Sequence, residues 1–365
     1  SGGDKSKYWT RADYGGYDFE SSNFMDFVFR SGEGTGVYVL DKRPRWGTCL
    51  YNFDKSTGEL TISDSFIYGT VSKDNGLYLG SHNSVSDPWT NSEESGVAAA
   101  DIKKITIGEN VILPRDSSNL FAGLQNLEEI DGLNETNSKY ITNMNNMFNA
   151  DSKLKNLNLS TFETSAVTNM NGIFYGCSSL ENLDISHFDD HKSQIISGFS
   201  KLESLKTITL GKGMRFVGHG GGLEVPNSQF NSGKWVKIDP VSGQELSNAY
   251  TSEEFMEKYG TGDLTEGTYA PQTNKWGTSS WGFDDATGTL TIESGQLGTR
   301  DESPWNLSHI APNDIKKIVL EGEVTAPENA LSLFSGVTDK EKDVLKNLTS
   351  IEGLENLETT KIQTI

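Results

Sequence analysis

The residues able to do chemistry are numerous but poorly grouped. The five histidines are scattered and Cys49 and Cys177 do not pair in a ligand spacing, so no metal centre is read. Asp54 and Ser56, within Phe53-Asp54-Lys55-Ser56-Thr57-Gly58-Glu59-Leu60, resemble the start of a calcium loop. That loop is too short and lacks a closing glutamate, so a hairpin turn between two alternating strands is expected instead. His219-Gly220-Gly221-Gly222 resembles an esterase oxyanion loop, yet no Gly-x-Ser-x-Gly elbow supplies a nucleophile. No phosphate-binding loop occurs. Some pair of the 51 acidic residues could fall at glycosidase spacing, but an acidic surface is their commoner use. The expectation is a protein without catalysis and without a cofactor.

The elements that position these residues are set by repetition. Residues 141–162 read ITNMNNMFNADSKLKNLNLSTF, residues 167–188 read VTNMNGIFYGCSSLENLDISHF, and residues 194–210 read QIISGFSKLESLKTITL. Met144 and Met170, Phe148 and Phe174, Leu154 and Leu180, and Phe162 and Phe188 lie 26 residues apart. The next step, Phe174 to Phe199 or Leu183 to Ile208, is 25, and a backward step of 27 reaches Phe121, Leu127 and Ile130. A unit of this length with a Leu-x-x-Leu-x-Leu core reads as a leucine-rich repeat stacked as a solenoid. One such unit cannot fold alone. Burying an apolar side chain yields roughly 2 kcal/mol, whereas ordering the backbone costs about 1 kcal/mol or more per residue. Stacked neighbours cover each other. The expected fold class is therefore a β-rich α/β solenoid, with Asn143 and Asn169 forming a buried amide ladder.

The string Val-Thr-Asn-Met-x-x-(Met/Ile)-Phe-Tyr-Gly-Cys-Ser-Ser-Leu-x-x-Leu-Asp-(Ile/Leu)-Ser-x-Phe-Asp resembles the repeat of BspA-type leucine-rich repeat surface proteins of gut, oral and lactic-acid bacteria. The likeness is strong over about 100 residues. Asp151 stands where that repeat has Cys, and the third unit lacks Asn-Met. The resemblance implies a secreted, surface-attached adhesin that binds a host matrix protein, mucin or glycan. A structural stalk or inter-bacterial contact, or a carbohydrate-active enzyme, stand as alternatives.

Composition bounds this reading. Lysine and arginine number 31 against 51 acids, a net charge of −20. Nucleic acids and anionic membranes need basic patches, so neither is an expected partner. No run of 18 apolar residues could span a bilayer. A monomer is expected. Cys177 aligns with Leu124 and Leu202, which implies a buried free thiol.

Along the chain, residues 1–41 form an aromatic-rich β segment, and 42–112 a first β cap module. Residues 113–225 carry the first repeats, and 226–275 a terminal cap and linker with a short helix near Thr251 and Ser252. The cap recurs at 276–325, where Trp276 matches Trp46 and Trp305 matches Trp89. Residues 326–365 begin a second array. The first copy carries an extra hairpin near Asp74-Asn75-Gly76, and the second an insert of eight residues at 337–344. Ser1-Gly2-Gly3 reads as a scar or linker, and the natural protein is expected to continue past Ile365. The four cap tryptophans are expected to pack over the open end of the repeats rather than stack on a ligand. On the strands, Thr106, Asp131, Asn158, Asp184 and Thr209 occupy equivalent outward positions, flanked by Lys104, Glu129, Asn156, Asn182 and Thr207. This polar column is the candidate binding face.

Overall fold

A computed structural model describes residues 8–11, 18–20, 38–41, 44–47, 49–63, 77–82, 87–90, 92–109, 111–193, 195–216, 221–307, 309–334 and 345–363. The hairpin at Asp74-Asn75-Gly76, the insert at 337–344 and His219-Gly220 lie outside these residues, as does most of the aromatic N-terminal segment. The chain forms two compact units, Ser1–Val225 with Val236–Ala270, and Pro226–Trp235 with Pro271–Ile365.

In the first unit, β1 (Tyr8–Arg11), β2 (Asp18–Glu20) and β3 (Tyr38–Asp41) make a small antiparallel sheet. The cap follows with β4 (Arg45–Trp46), β5 (Cys49–Asp54), β6 (Glu59–Ser63), β7 (Leu77–Tyr78) and a single helical turn, α1 (Ser92–Ser95). Next come β8 (Lys104–Ile107), β9 (Val111–Ile112) and β10 (Glu129–Asp131). The sheet order β10-β8-β6-β5-β4 joins the cap hairpin to the first repeat strands. Asp54 pairs with Glu59 across the hairpin turn, where Gly58 takes a left-handed φ of 76°. Three repeat strands, β11 (Asn156–Asn158), β12 (Asn182–Ile185) and β13 (Thr207–Leu210), then pair in parallel. The chain continues through β14 (Asn231–Ile238), α2 (Ser252–Lys258) and β15 (Gly267–Thr273). Strand β15 closes antiparallel on β13, with Ile208 opposite Tyr269.

The second unit repeats the cap. It holds β16 (Lys275–Trp276), β17 (Ser279–Asp284), β18 (Thr289–Ile292), β19 (Gly295–Gln296), β20 (Lys317–Leu320), β21 (Val324–Thr325), β22 (Ser350–Glu352) and β23 (Leu357–Glu358). Its hairpin β17–β18 runs into parallel β20 and β22, as β5–β6 runs into β8 and β10.

The expected β-rich α/β leucine-rich-repeat solenoid is not what the chain forms. Its sheets are separate, with β10 in one and β11 in another, and all three five-stranded sheets mix parallel with antiparallel pairs. Among the described residues no α-helix links the repeat strands, and Leu133–Glu135 between β10 and β11 is a single 3-10 turn. The physical reason lies in the Asn-Met-x-x-(Met/Ile)-Phe half of each unit. Two residues there sit at positive φ in successive units: Asn119 and Gly123, Asn146 and Ala150, Gly172 and Gly176, Ser197 and Lys201. A left-handed residue every four positions forbids an α-helix. The amides turn to the next unit instead. Phe121 N donates to Met147 O at 2.9 Å, Phe148 N to Ile173 O at 3.0 Å, and Phe174 N to Gly198 O at 2.9 Å. Hydrogen bonds thus tie unit to unit through turns as well as through strands.

Apolar side chains fill the space between. Phe121, Phe148, Phe174 and Phe199 form a row with centroids 5.6, 5.8 and 5.8 Å apart. Trp46 packs on Phe121 at 6.2 Å and on Trp89 at 4.9 Å, so the cap tryptophans end the row on one side. Phe216 and Phe255 end it on the other, 5.9 Å apart. Phe255 is presented by α2, whose Thr251–Glu254 capping box satisfies the amides of both of those residues. In the second unit Trp276 packs on Trp305 at 5.2 Å and on Phe334 at 5.9 Å. Cys49 and Cys177 are both buried and unbridged.

Candidate functional site

The alternation of β-strand side chains places Leu157, Leu183 and Ile208 in the core and sends their neighbours outward. The predicted column falls into two groups. Asp131 pairs with Thr106 in the cap sheet, while Asn158, Asp184 and Thr209 align across β11, β12 and β13. All but the exposed Asn158 are half-buried.

Each of these side chains already has a partner. Thr106 Oγ1 donates to Glu59 Oε1 at 2.7 Å. Asp131 is ion-paired with Lys104, which also holds Glu129 at 3.0 Å. The Lys104 contact holds the Asp131 carboxyl below its ordinary range, and the two acids hold the Lys104 ammonium above its own. Asn158 Oδ1 and Asp184 Oδ1 each accept the amide two residues on, Ser160 N and Ser186 N, both at 3.0 Å. Thr209 Oγ1 lies 3.0 Å from Thr268 Oγ1 of β15.

The flanking row forms its own ladder. Thr207 Oγ1 donates to Asn182 Oδ1 at 2.8 Å, and Asn182 Nδ2 donates to Asn156 Oδ1 at 3.0 Å. On the turns, Asn143 Nδ2 donates to Asp116 Oδ1 at 3.0 Å, and Asn143 and Asn169 each accept an amide two residues on. These asparagines are half-buried rather than buried.

The column ends at a groove that sequence reasoning missed. A cavity of about 520 Å³ opens where β12 and β13 finish, lined by Ser186, His187, Asp189, Thr209, Lys212 and Glu266 among others. It forms because Gly211 and Gly213 let the chain after β13 lie against the turn after β12. Its charges are mutually matched. Lys212 Nζ lies 3.5 Å from Glu266, and Asp189 Oδ1 takes both the amide and the ring Nδ1 of His191, at 3.0 and 2.7 Å. Partial burial pushes the Asp189 carboxyl up, but the His191 contacts leave it below its ordinary range. The available signal was the four-residue spacing of His187 and His191. That spacing gathers metal ligands on a helix, and here it lies in a strand-to-turn exit. Among the described residues no three His, Cys, Asp or Glu side chains converge on one point suited to a metal.

A family model described as "Mycoplasma protein of unknown function, DUF285" matches residues 115–207. That span runs from the units at Asp116 to the first residue of β13 and covers neither cap. No curated protein and no solved structure matches the chain. Among the described residues no helix is long and apolar enough to cross a membrane.

Proposed function

We propose that this chain is a non-enzymatic binding module of a bacterial cell-surface protein. It holds a host extracellular ligand, whether matrix protein, mucin or glycan, on the outward face of its repeat strands. The supporting observation is the pair of aligned polar rows on β11–β13, Asn156-Asn182-Thr207 and Asn158-Asp184-Thr209, held on a rigid aromatic core. Their geometry is preset by in-chain hydrogen bonds. A ligand would therefore meet ordered groups and lose little to rearrangement. The net charge of −20 favours a protein or glycan ligand over nucleic acid.

The test is binding of the purified chain to arrayed matrix proteins, mucins and glycans at two salt concentrations. The variant carries Asp131→Asn and Asp184→Asn together, since Asn keeps the turn contact to Ser186. A saturable signal lost in the variant supports the strand face. A signal indifferent to it moves the site to the groove at His187 and Lys212. Binding to bacterial surfaces alone favours the stalk reading, which draws on the same in-chain pairing of every outward side chain.

A further inference from the structure

Asp151 is an acid in a position that its equivalents fill with apolar side chains. One repeat back the same place is Leu124, and the next two hold Cys177 and Leu202. All four are buried, Asp151 at 0% exposure. Asp151 Oδ1 accepts Leu124 N at 2.8 Å, and the Gly123 amide also favours the anion. Asp151 Oδ2 has no hydrogen-bond partner among the described residues.

No described Lys, Arg or His forms an ion pair with Asp151. Lys153 and Lys155, the cations on its own turn, are exposed. From the preceding unit only backbone amides face it. From the following unit it meets the Cys177 thiol, which donates to Phe148 O at 3.0 Å and is itself pushed up by burial and by the acid beside it. Among the described residues two other acids are buried, Asp87 and Asp190. Asp87 lies 3.0 Å from His82, and Asp190 Oδ1 accepts Arg215 N at 2.7 Å.

An isolated carboxylate in an apolar interior is far costlier than the neutral acid, so such a group keeps its proton. We infer that Asp151 is a pH-sensitive joint in the repeat stack: it is protonated in the folded chain, and raising the pH loosens the contact between the units that carry Leu124, Asp151 and Cys177. The sign follows from linkage. In the unfolded chain Asp151 ionises near pH 4, while burial holds its folded value well above that. Folding therefore retains a proton, and stability falls as pH rises through the interval between the two values. The contribution of Asp151 is complete in acid and is lost as the pH rises.

The test is denaturant unfolding of the whole chain and of Asp151→Asn at a series of pH values from 4 to 8. The acids other than Asp151 repel one another in both proteins, so the difference between their curves is the quantity read. Relative to Asp151→Asn, the wild type should lose up to about tenfold in its folded-to-unfolded ratio per pH unit across the interval. Asp151→Leu, the residue of positions 124 and 202, should behave as Asp151→Asn does and serves if the amide fails to fold. Parallel curves overturn the inference. So does a wild type more stable than both variants at pH 7, or a failure of both to fold.

Discussion

A Cβ built on Gly211 would stand 1.6 Å from the carbonyl oxygen of Ser186. The chain leaving β13 therefore lies backbone to backbone on the turn that follows β12. Gly211→Ala must push these apart, and Gly213 is nearly as tight, at 2.3 Å from Phe188 O. Strain of this kind costs about 1–3 kcal/mol. Gly211→Ala should lower the denaturation midpoint accordingly and disturb the groove at His187 and Lys212. An unchanged midpoint would show that the two segments are not in contact.

Left-handed positions separate steric from conformational cost. Gly176 has φ 78°, and a Cβ there would approach nothing nearer than 3.7 Å. Gly176→Ala should cost about 1 kcal/mol from the backbone alone. Ala150 occupies the equivalent position one unit back at φ 63°, so Ala150→Gly should stabilise by up to about 1 kcal/mol. Thermal unfolding of the two single variants should move in opposite directions.

Phe148 sits between Phe121 and Phe174 and is fully buried. Phe148→Ala removes contacts on both sides, a loss of about 3–5 kcal/mol. Near-ultraviolet circular dichroism and equilibrium unfolding should show this loss. Removing an exposed residue such as Val241 should leave both unchanged.

Tyr259 and Tyr269 close the far end of the aromatic row, and burial is the first reason that both phenols are held above their ordinary range. Tyr259 Oη donates to Gly211 O at 3.1 Å. In the unfolded chain each phenol ionises near pH 10. Their stabilising contribution is complete below that pH and is lost as pH rises towards the folded values. Alkaline titration should show tyrosinate forming late at these two residues, together with unfolding. Tyr259→Phe should remove part of the late fraction. A single tyrosinate step near pH 10 without unfolding would contradict this.

Much of the local structure was legible because it depends on neighbours along the chain. Alternation in Leu157-Asn158-Leu159 told inside from outside, and the turn sequence around Gly58 told of a hairpin. The 26- and 25-residue steps named the side chains that stack, Phe148 on Phe174 and Leu183 beside Ile208. The repeat also led to an α/β solenoid that the chain does not form. Asn146 and Ala150 take left-handed backbone with their amides on carbonyls of the adjoining unit, Asn171 O and Tyr175 O, which no local propensity announces.

By itself the sequence determined the period, the apolar face, the paired caps and the acidic surface, since each follows from residue type and spacing. Only the tertiary structure decided three further matters. It split the outward column into two groups, because β10 and β11 do not share a ladder. It made the groove, because β15 returns beside β13 and brings Glu266 to Lys212. It also enclosed Asp151 without a cation among the described residues. The cost of that carboxyl depends on what surrounds it in space, whereas the sequence records only what precedes and follows it.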